Sequence, residues 1–470
     1  MPVHIVPVEL LYAILTQVNK QDLVSCSLVS GLWRQVTLPQ LFKNLRVSYC
    51  VPDEGMEENE DEHGKSLVFL DGTDNNDPVN LGWERRPRDL SLLSFKAFLK
   101  RSPDIAASVR FLALRQNERM GVTSPNILCH ILNQLPSLTS LDLTDVVGVD
   151  EAYQTSPGPV VDQHLDRLSF SFPFTNSATS SLRTVVRVLA FFRSVKTLFV
   201  DGIFQDSADI DVAGLPLPLS VPRHLEIREV NLQSFVSVMQ STSLLRNIET
   251  LDIGGMRYAS DNAQTLENLL VQVSPTLLHL IVPPRKLFLS YSPFFLAKYA
   301  LAIASVDWQD SRVTMLVPLR RLETIYFKPL WMNSVDWSAA TCLLPTIQRI
   351  STLHTIVLCL SVDSEAKDIA KMFIDAVPQL TRLEDIFLAL ARTSLRQVIL
   401  SLKTWASMSQ RVISCFVNVF PRLLKNGILK VYLHQSGIFS QPSLIPIHLA
   451  VSLSHDCLPR SSHHDVACIS

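Results

Sequence analysis

Glycine is the first shortage: 14 residues in a chain of 470. Loops that cradle phosphate need glycine where the backbone must approach the ligand closely. No glycine-rich phosphate loop is present, and neither is a GxSxG elbow, an HExxH helix or an EF-hand loop. No nucleophile stands at a diagnostic spacing from a base. The expectation is a protein that is not an enzyme and needs no cofactor. Long apolar runs are also missing. Hydrophobic residues make up 47% of the chain, but no window approaches the roughly 18 uninterrupted apolar residues of a membrane span. An excess of charge of one sign is absent as well, since 42 basic and 44 acidic side chains leave a formal charge of −2. That balance recruits neither nucleic acid nor an anionic membrane. WERRPR at 83–88 is basic but short, and reads as a solvated face. The eight cysteines stand singly, with no CxxC pair. They read as reduced thiols, which points to the cytoplasm, the nucleus or both. Cys457, His463, His464 and Cys468 are close in sequence, yet their spacing fits no common zinc module, and a loose polar tail is the plainer reading. The opening MPVHIVPVELL has no basic leader and no small-residue cleavage site, so no signal peptide is expected.

What is present is a chain too long for one core and too apolar for disorder, with mean hydropathy +0.21. Short apolar clusters broken by Ser, Arg and Pro suit many small strands and helices. The densest pattern comes first. Pro7 sits where a helix would begin, and Glu9 matches the dipole of its first turn. Leu10, Leu11, Ile14, Leu15 and Val18 recur at helical spacing as one wide apolar stripe. Asp22 reads as the N-cap of a second short helix with Leu23 and Cys26, and Ser30 as the cap of a third with Trp33 and Val36. Leu38, Leu41 and Phe42 close the segment. Three helices this short bury little among themselves. The stripe is wider than their mutual contacts can cover, which predicts a helical docking surface.

The stretch VPVELLYAILTQV, three residues, then DLVSCSLVSGLWRQVTLPQLF resembles the F-box. The matching positions are Pro7, Glu9-Leu10-Leu11, Ile14-Leu15, Asp22-Leu23, Cys26 with Val29-Ser30, Trp33-Arg34 and Leu41-Phe42. Val6 departs mildly, where Leu is commoner. The resemblance covers about a tenth of the chain, and many spaced positions agree at once. It implies docking on a Skp-type adaptor and, through it, a cullin–RING scaffold. By the same resemblance Pro7, Leu10, Leu11, Ile14, Leu15, Leu23, Val29 and Trp33 would make most of that contact, although some of them, Trp33 especially, can equally be internal core.

Residues 47–89 are expected to be an acidic flexible linker. PDEGMEENEDEHG at 52–64 and DGTDNNDP at 71–78 cannot offset their ordering entropy by burial. They make the best domain boundary in the chain. From residue 90 a loose repeat begins with LSFKAFLKRSPDIAASVRFLAL, a phrase that looks like the entry to the repeat region of many fungal F-box proteins. A triplet of apolar, two others, apolar, one other, apolar then recurs. Its copies are Val109-Leu112-Leu114, Leu138-Leu141-Leu143, Leu165-Leu168-Phe170, Val195-Leu198-Val200 and Leu225-Ile227 after Pro222. They continue as Ile248-Leu251-Ile253, Leu277-Leu280-Val282, Leu322-Ile325-Phe327, Leu353-Ile356-Leu358, Leu383-Ile386-Leu388 and Ile428-Val431-Leu433. Their middle residues lie mostly about 26 to 31 apart, with two gaps of about 45. That is the leucine-rich-repeat range with insertions.

Helical faces fall between the copies: Leu182, Val185, Val186, Leu189 and Phe192; Leu232, Phe235, Val236 and Met239 after Asn231; Leu266, Leu269, Leu270 and Val273 before Pro275; Ile369, Phe373 and Val377 ending at Pro378. The fold class expected is therefore a small all-α three-helix F-box over 1–46, then an α/β leucine-rich-repeat-like solenoid over 90–434, a curved parallel sheet with outer helices. The Asn that usually follows the L-x-L is mostly missing, which predicts irregular repeats. Insertions at 144–163 and 283–320 could carry recognition, the second with Phe288, Tyr291, Phe294, Phe295 and Tyr299. Residues 435–470 read as a poorly ordered tail.

The function expected is recruitment: the head docks on the ligase scaffold and the repeats hold an unknown target protein, with proximity as the only contribution. Two rivals are a repeat scaffold outside the ubiquitin pathway and an enzyme whose site is assembled from the insertions.

Overall fold

The computed structural model describes residues 7–49, 92–116, 125–146, 161–172, 178–202, 221–255, 263–282, 319–331, 350–361, 366–404, 419–435 and 445–446. Three helices open the chain: α1 (Val8–Leu15), α2 (Lys20–Ser27) and α3 (Gly31–Leu41). Strands then follow with helices among them: β1 (Asn44–Tyr49), α4 (Leu92–Arg101), α5 (Pro103–Ser108), β2 (Phe111–Gln116), α6 (Pro125–Asn133), β3 (Ser140–Thr144) and β4 (Val161–Ser171). Next come α7 (Ala178–Leu189), β5 (Phe192–Asp201), β6 (His224–Arg228), α8 (Leu232–Ser241), β7 (Thr250–Gly255), α9 (Ala263–Val273) and β8 (His279–Val282). The last are β9 (Thr324–Trp331), β10 (Thr355–Ser361), α10 (Ala366–Ala391), β11 (Gln397–Thr404), α11 (Pro421–Lys425), β12 (Leu429–Gln435) and β13 (Ile445–Pro446).

The thirteen strands of the described residues form one sheet whose spatial order is the chain order. β1 to β12 pair in parallel, and the two-residue β13 adds antiparallel to β12. Parallel neighbours require a crossover each time, and the helices supply many of them. The registers stack the repeat residues into rows. One row is Leu45, Leu112, Leu141, Leu168, Leu198, Leu225, Leu251, Leu280, Ile325, Ile356, Val398 and Leu429, and every member is buried. The helical faces close over these rows. Leu182, Val185, Val186 and Leu189 of α7, Phe235 and Met239 of α8, and Leu269, Leu270 and Val273 of α9 share the same continuous core. Asn231 caps α8 as expected, accepting from the Ser234 N–H at 3.1 Å.

Ten of the eleven triplet copies lie on strands, the last of them in a shifted register, and one does not. Leu383-Ile386-Leu388 belongs to α10, not to a strand. Its spacing satisfies a helix equally well, and Leu380, Leu383, Phe387 and Leu390 bury one helical stripe. The strand sits later, where Leu395, Val398 and Leu400 repeat the same triplet. α10 also runs through Pro378, where the sequence predicted a stop. An interior proline costs about 3 kcal/mol. Four buried side chains at about 1.5–3 kcal/mol each outweigh it. In the final copy the register differs by two residues: Leu429 and Val431, not Val431 and Leu433, align with Val398 and Leu400.

Four copies carry a side-chain tie to the copy before: the residue just before the first apolar position reaches back to a main-chain carbonyl. Thr276 Oγ1 donates to Ile248 O at 2.9 Å, and Thr352 Oγ1 to Leu322 O at 2.9 Å. Arg321 Nη1 donates to Pro275 O at 3.2 Å and Ser394 Oγ to Ile350 O at 3.5 Å. After the strands, three equivalent positions turn through the left-handed region: Asp145 (φ 55°), Gly202 (φ 85°) and Glu229 (φ 45°). At Gly202 an added Cβ would lie 2.8 Å from the Phe172 carbonyl carbon. Asp and Glu tolerate the torsion; the close approach is what requires glycine. Gly202→Ala should therefore cost about 2–4 kcal/mol, strain and overlap together, read as a lower urea midpoint with unchanged slope.

β1 carries the largest departure from the expected organisation. The anticipated boundary at 46/47 falls inside this strand, which follows α3 at once and pairs with β2 over its whole length. Lys43 O accepts from both the Arg110 and Phe111 N–H groups, at 2.9 and 3.0 Å. Phe42 packs on the head cluster and on the main core together. The acidic stretches thus lie between the first two strands of the sheet and do not connect head to sheet. Those stretches, the aromatic cluster at 288–299 and the Cys/His group at 457–468 fall outside the described residues.

Candidate docking surfaces

The head is built from three short helices with separate caps. Pro7 opens α1, its carbonyl accepting from the Leu11 N–H at 3.1 Å. α2 is capped by Asn19, not Asp22: Asn19 Oδ1 accepts from the Asp22 N–H at 2.9 Å while Asn19 Nδ2 donates to Asp22 Oδ2 at 2.7 Å. Asp22 is the third helical residue and answers the cap from there, a reciprocal arrangement akin to the capping box. Ser30 caps α3 through the Trp33 N–H at 3.3 Å, as its position predicted.

Inside the head, Leu11, Leu15, Leu23, Val36 and Leu41 form a cluster, with Val18, Cys26, Trp33 and Phe42 packed against it. This core is small. On α1, Leu11 and Leu15 face it, Leu10 and Ile14 lie to one side, and Val8 and Tyr12 lie to the other. The apolar arc therefore covers more than half the helix circumference, about twice what one packed face needs. Exposure follows. Among the described residues eleven large hydrophobic side chains are exposed, and eight of them are in the head: Val8, Leu10, Tyr12, Ile14, Val24, Leu28, Val29 and Leu32. Leu28 (82% exposed) and Val29 (65%) stand out most, at the turn between α2 and α3.

A second surface is the sheet face turned away from the core. One register row along it reads Arg46, Ala113, Asp142, Ser169, Phe199, Glu226, Asp252, Ile281, Tyr326, Val357, Ile399 and Lys430. Its middle is ionic. The guanidinium carbons of Arg167 and Arg228 lie 5.2 and 5.0 Å from the Phe199 ring centroid. Glu226 accepts from Arg228 Nη2 at 2.6 Å and sits 3.8 Å from Arg167 Nη2. Burial pushes the Asp142 carboxyl above its ordinary range, against the pull of Arg167 and then Arg46. Burial likewise pushes His224 down, opposed by Glu226 and Asp252. Among the described residues no group of three His, Cys, Asp or Glu side chains is placed to hold a metal ion, and no helix is long and apolar enough to cross a membrane.

Residues 3–48 match the F-box-like family model.

No curated protein matches the chain. The F-box-like match coincides with α1, α2, α3 and most of β1. The eight side chains expected at its contact surface divide in the structure. Pro7, Leu10, Ile14 and Val29 are exposed. Leu11, Leu15 and Leu23 are buried in the head's own core, and Trp33 is half-buried against it. The division has a simple cause. Helical spacing shows that a stripe is apolar, but not which part of a wide stripe turns inward. Sequence reading also passed over Val8, Tyr12, Val24, Leu28 and Leu32. The consecutive pair Leu28-Val29 beside a helix cap was the available signal for Leu28.

Proposed function

We propose that this chain is the substrate-recruiting subunit of an SCF-type ubiquitin ligase. The F-box-like head would dock on a Skp-type adaptor and through it join a cullin–RING scaffold, in the cytoplasm, the nucleus or both. The sheet, taken as a leucine-rich-repeat-like solenoid of the fungal F-box type, would hold a target protein. No bond is made or broken by the chain in this account, and it is not an enzyme. One observation carries the reading: exposed large hydrophobic residues are concentrated in the head, on top of a core too small to bury them. A surface of this kind is covered by a partner subunit. Support for the repeat assignment comes from twelve parallel strands in chain order with inter-repeat side-chain ties. The runner-up is a non-catalytic repeat scaffold outside the ubiquitin pathway, which the same surface would also serve.

Affinity purification of the tagged full chain separates the two. Adaptor and cullin recovered together in near-stoichiometric amounts is the expected result. Adaptor recovered without cullin would favour the scaffold, and recovery of neither would defeat both.

A further inference from the structure

The head and the start of the sheet share their walls. α3 ends with the Phe42 N–H donating to Leu38 O at 3.0 Å, and the ladder between β1 and β2 begins at Lys43 O, which accepts from the Arg110 and Phe111 N–H groups. Phe42 and Lys43 are adjacent, so no unpaired residue separates helix from ladder. Leu41 is buried in the head cluster, Leu45 and Val47 are buried in the sheet core, and Phe42 packs on both. α3 also packs against α5, the helix that leads into β2. Neither side is self-sufficient. Among the described residues the head cluster holds five buried apolar side chains for three helices, too few to keep such a unit folded alone. β1 in turn is the edge of the described sheet, bonded to β2, and the terminal unit of a stacked array needs a cap over its apolar end. Phe42 and α3 supply that cap.

We propose that α1, α2, α3, α5, β1 and β2 open and close as one cooperative unit, so that a partner covering the head also tightens the first two strands of the sheet. Opening α3 withdraws Phe42 from the sheet core and loosens the ladder at Lys43. Opening β1 removes the wall on which the last helix of the head rests. The unit ends where the shared contacts end, because stacked repeats pass their stability chiefly to the next neighbour. Whatever binds only the closed form stabilises everything that closes with it, and the coupling is reciprocal. The partner half of the proposal rests on the reading of the head as the adaptor-docking part. Its consequence is that the chain free of adaptor opens the entrance of its sheet more often than the chain that carries one.

Hydrogen exchange on the full chain tests both halves. Leu15 belongs to the head cluster and not to the sheet core. Leu15→Ala is expected to speed exchange at least about tenfold in β1 and β2 as well as in α1 to α3, and by less than about twofold in β9 to β12. Leu15→Val should give the same pattern at lower amplitude, and serves if the alanine variant does not fold. Acceleration confined to α1, α2 and α3 overturns the shared unit. Uniform acceleration through β12 overturns it too, since no bounded unit then exists. Purified Skp-type adaptor at about one hundred times its Kd should slow exchange in β2 by about tenfold or more, with about a hundredfold as the ceiling. β2 lies behind β1 in the ladder, between β1 and β3. Adaptor that binds yet leaves β2 unchanged overturns the transmission. Adaptor that fails to bind defeats the reading of the head, while the Leu15 variants still decide whether head and strands are one unit.

Discussion

Replacing Leu10 and Ile14 together by aspartate is expected to weaken adaptor binding at least about a hundredfold while leaving the protein as stable as before. Leu10 is 54% exposed and Ile14 is 51% exposed, four residues apart on one side of α1. Neither belongs to the head's internal cluster. A charge at either position stays in water when the chain is alone, so surface substitution there costs within about 0.5 kcal/mol. In a complex that covers this face, each carboxylate would have to be desolvated without a partner. Two such penalties exceed the roughly 2.7 kcal/mol of a hundredfold change. Leu15→Ala is the contrasting variant. Leu15 is 1% exposed within the internal cluster, so its truncation should cost about 2–5 kcal/mol of stability whether or not a partner is present. Isothermal titration with purified adaptor and thermal denaturation of the free protein separate the two effects. Unchanged affinity in the double aspartate variant would sink the docking face as drawn. A large drop in its melting temperature would show that these residues are packed after all.

The second large effect lies at the other end of the molecule. Glu384 of α10 is buried, and its carboxylate serves the first turn of α11. Oε1 accepts from the Arg422 and Leu423 N–H groups at 2.7 and 3.1 Å, and Oε2 accepts from Arg422 Nε at 2.8 Å. Arg422 also donates to Asp385 at 2.6 Å. The hydrogen bond to Glu384, then that to Asp385, raises the arginine above its ordinary range. Glu384→Ala removes the acceptor from two main-chain donors, one of them in a buried residue. Leaving such donors unmet should cost about 3 kcal/mol. Glu384→Gln keeps an acceptor and should cost about half as much. Repeat units depend chiefly on their immediate neighbours, so the damage should be local. Hydrogen exchange is expected to accelerate in β11 and β12 while β2 to β6 keep their protection. Uniform acceleration along the sheet would contradict this.

Much of the strand order was legible because the triplet pattern is a direct trace of burial: each strand turns two residues inward, two positions apart. The failures share one cause. L-x-x-I-x-L contains an i, i+3 step that a helix also satisfies, so Leu383-Ile386-Leu388 read as a strand although its neighbours Leu380 and Leu390 complete a helical stripe. β1 was missed for a different reason. Phe42, Leu45 and Val47 form the same triplet, but Phe42 also reads as the closing position of the helical head, and a sequence pattern gives one residue one part. It plays both. In the head, the sequence showed that α1 had too much apolar surface, and only the packed arrangement showed which side was surplus. The pairing of Arg167 and Arg228 on Phe199 was not legible at all, because register across three separate strands brings it about.

The direct passage of α3 into β1 also sets a distance. Because the same hydrogen-bonded ladder begins one step beyond the last helix, the head cannot swing relative to the first strands, and any molecule seated on the sheet lies at a fixed offset from whatever grips the head. Selection among a target's lysines would then be a matter of ruler length and not of tether length. Lengthening or shortening the 50–91 segment should leave that choice unchanged, whereas residues inserted beside Phe42 should shift it.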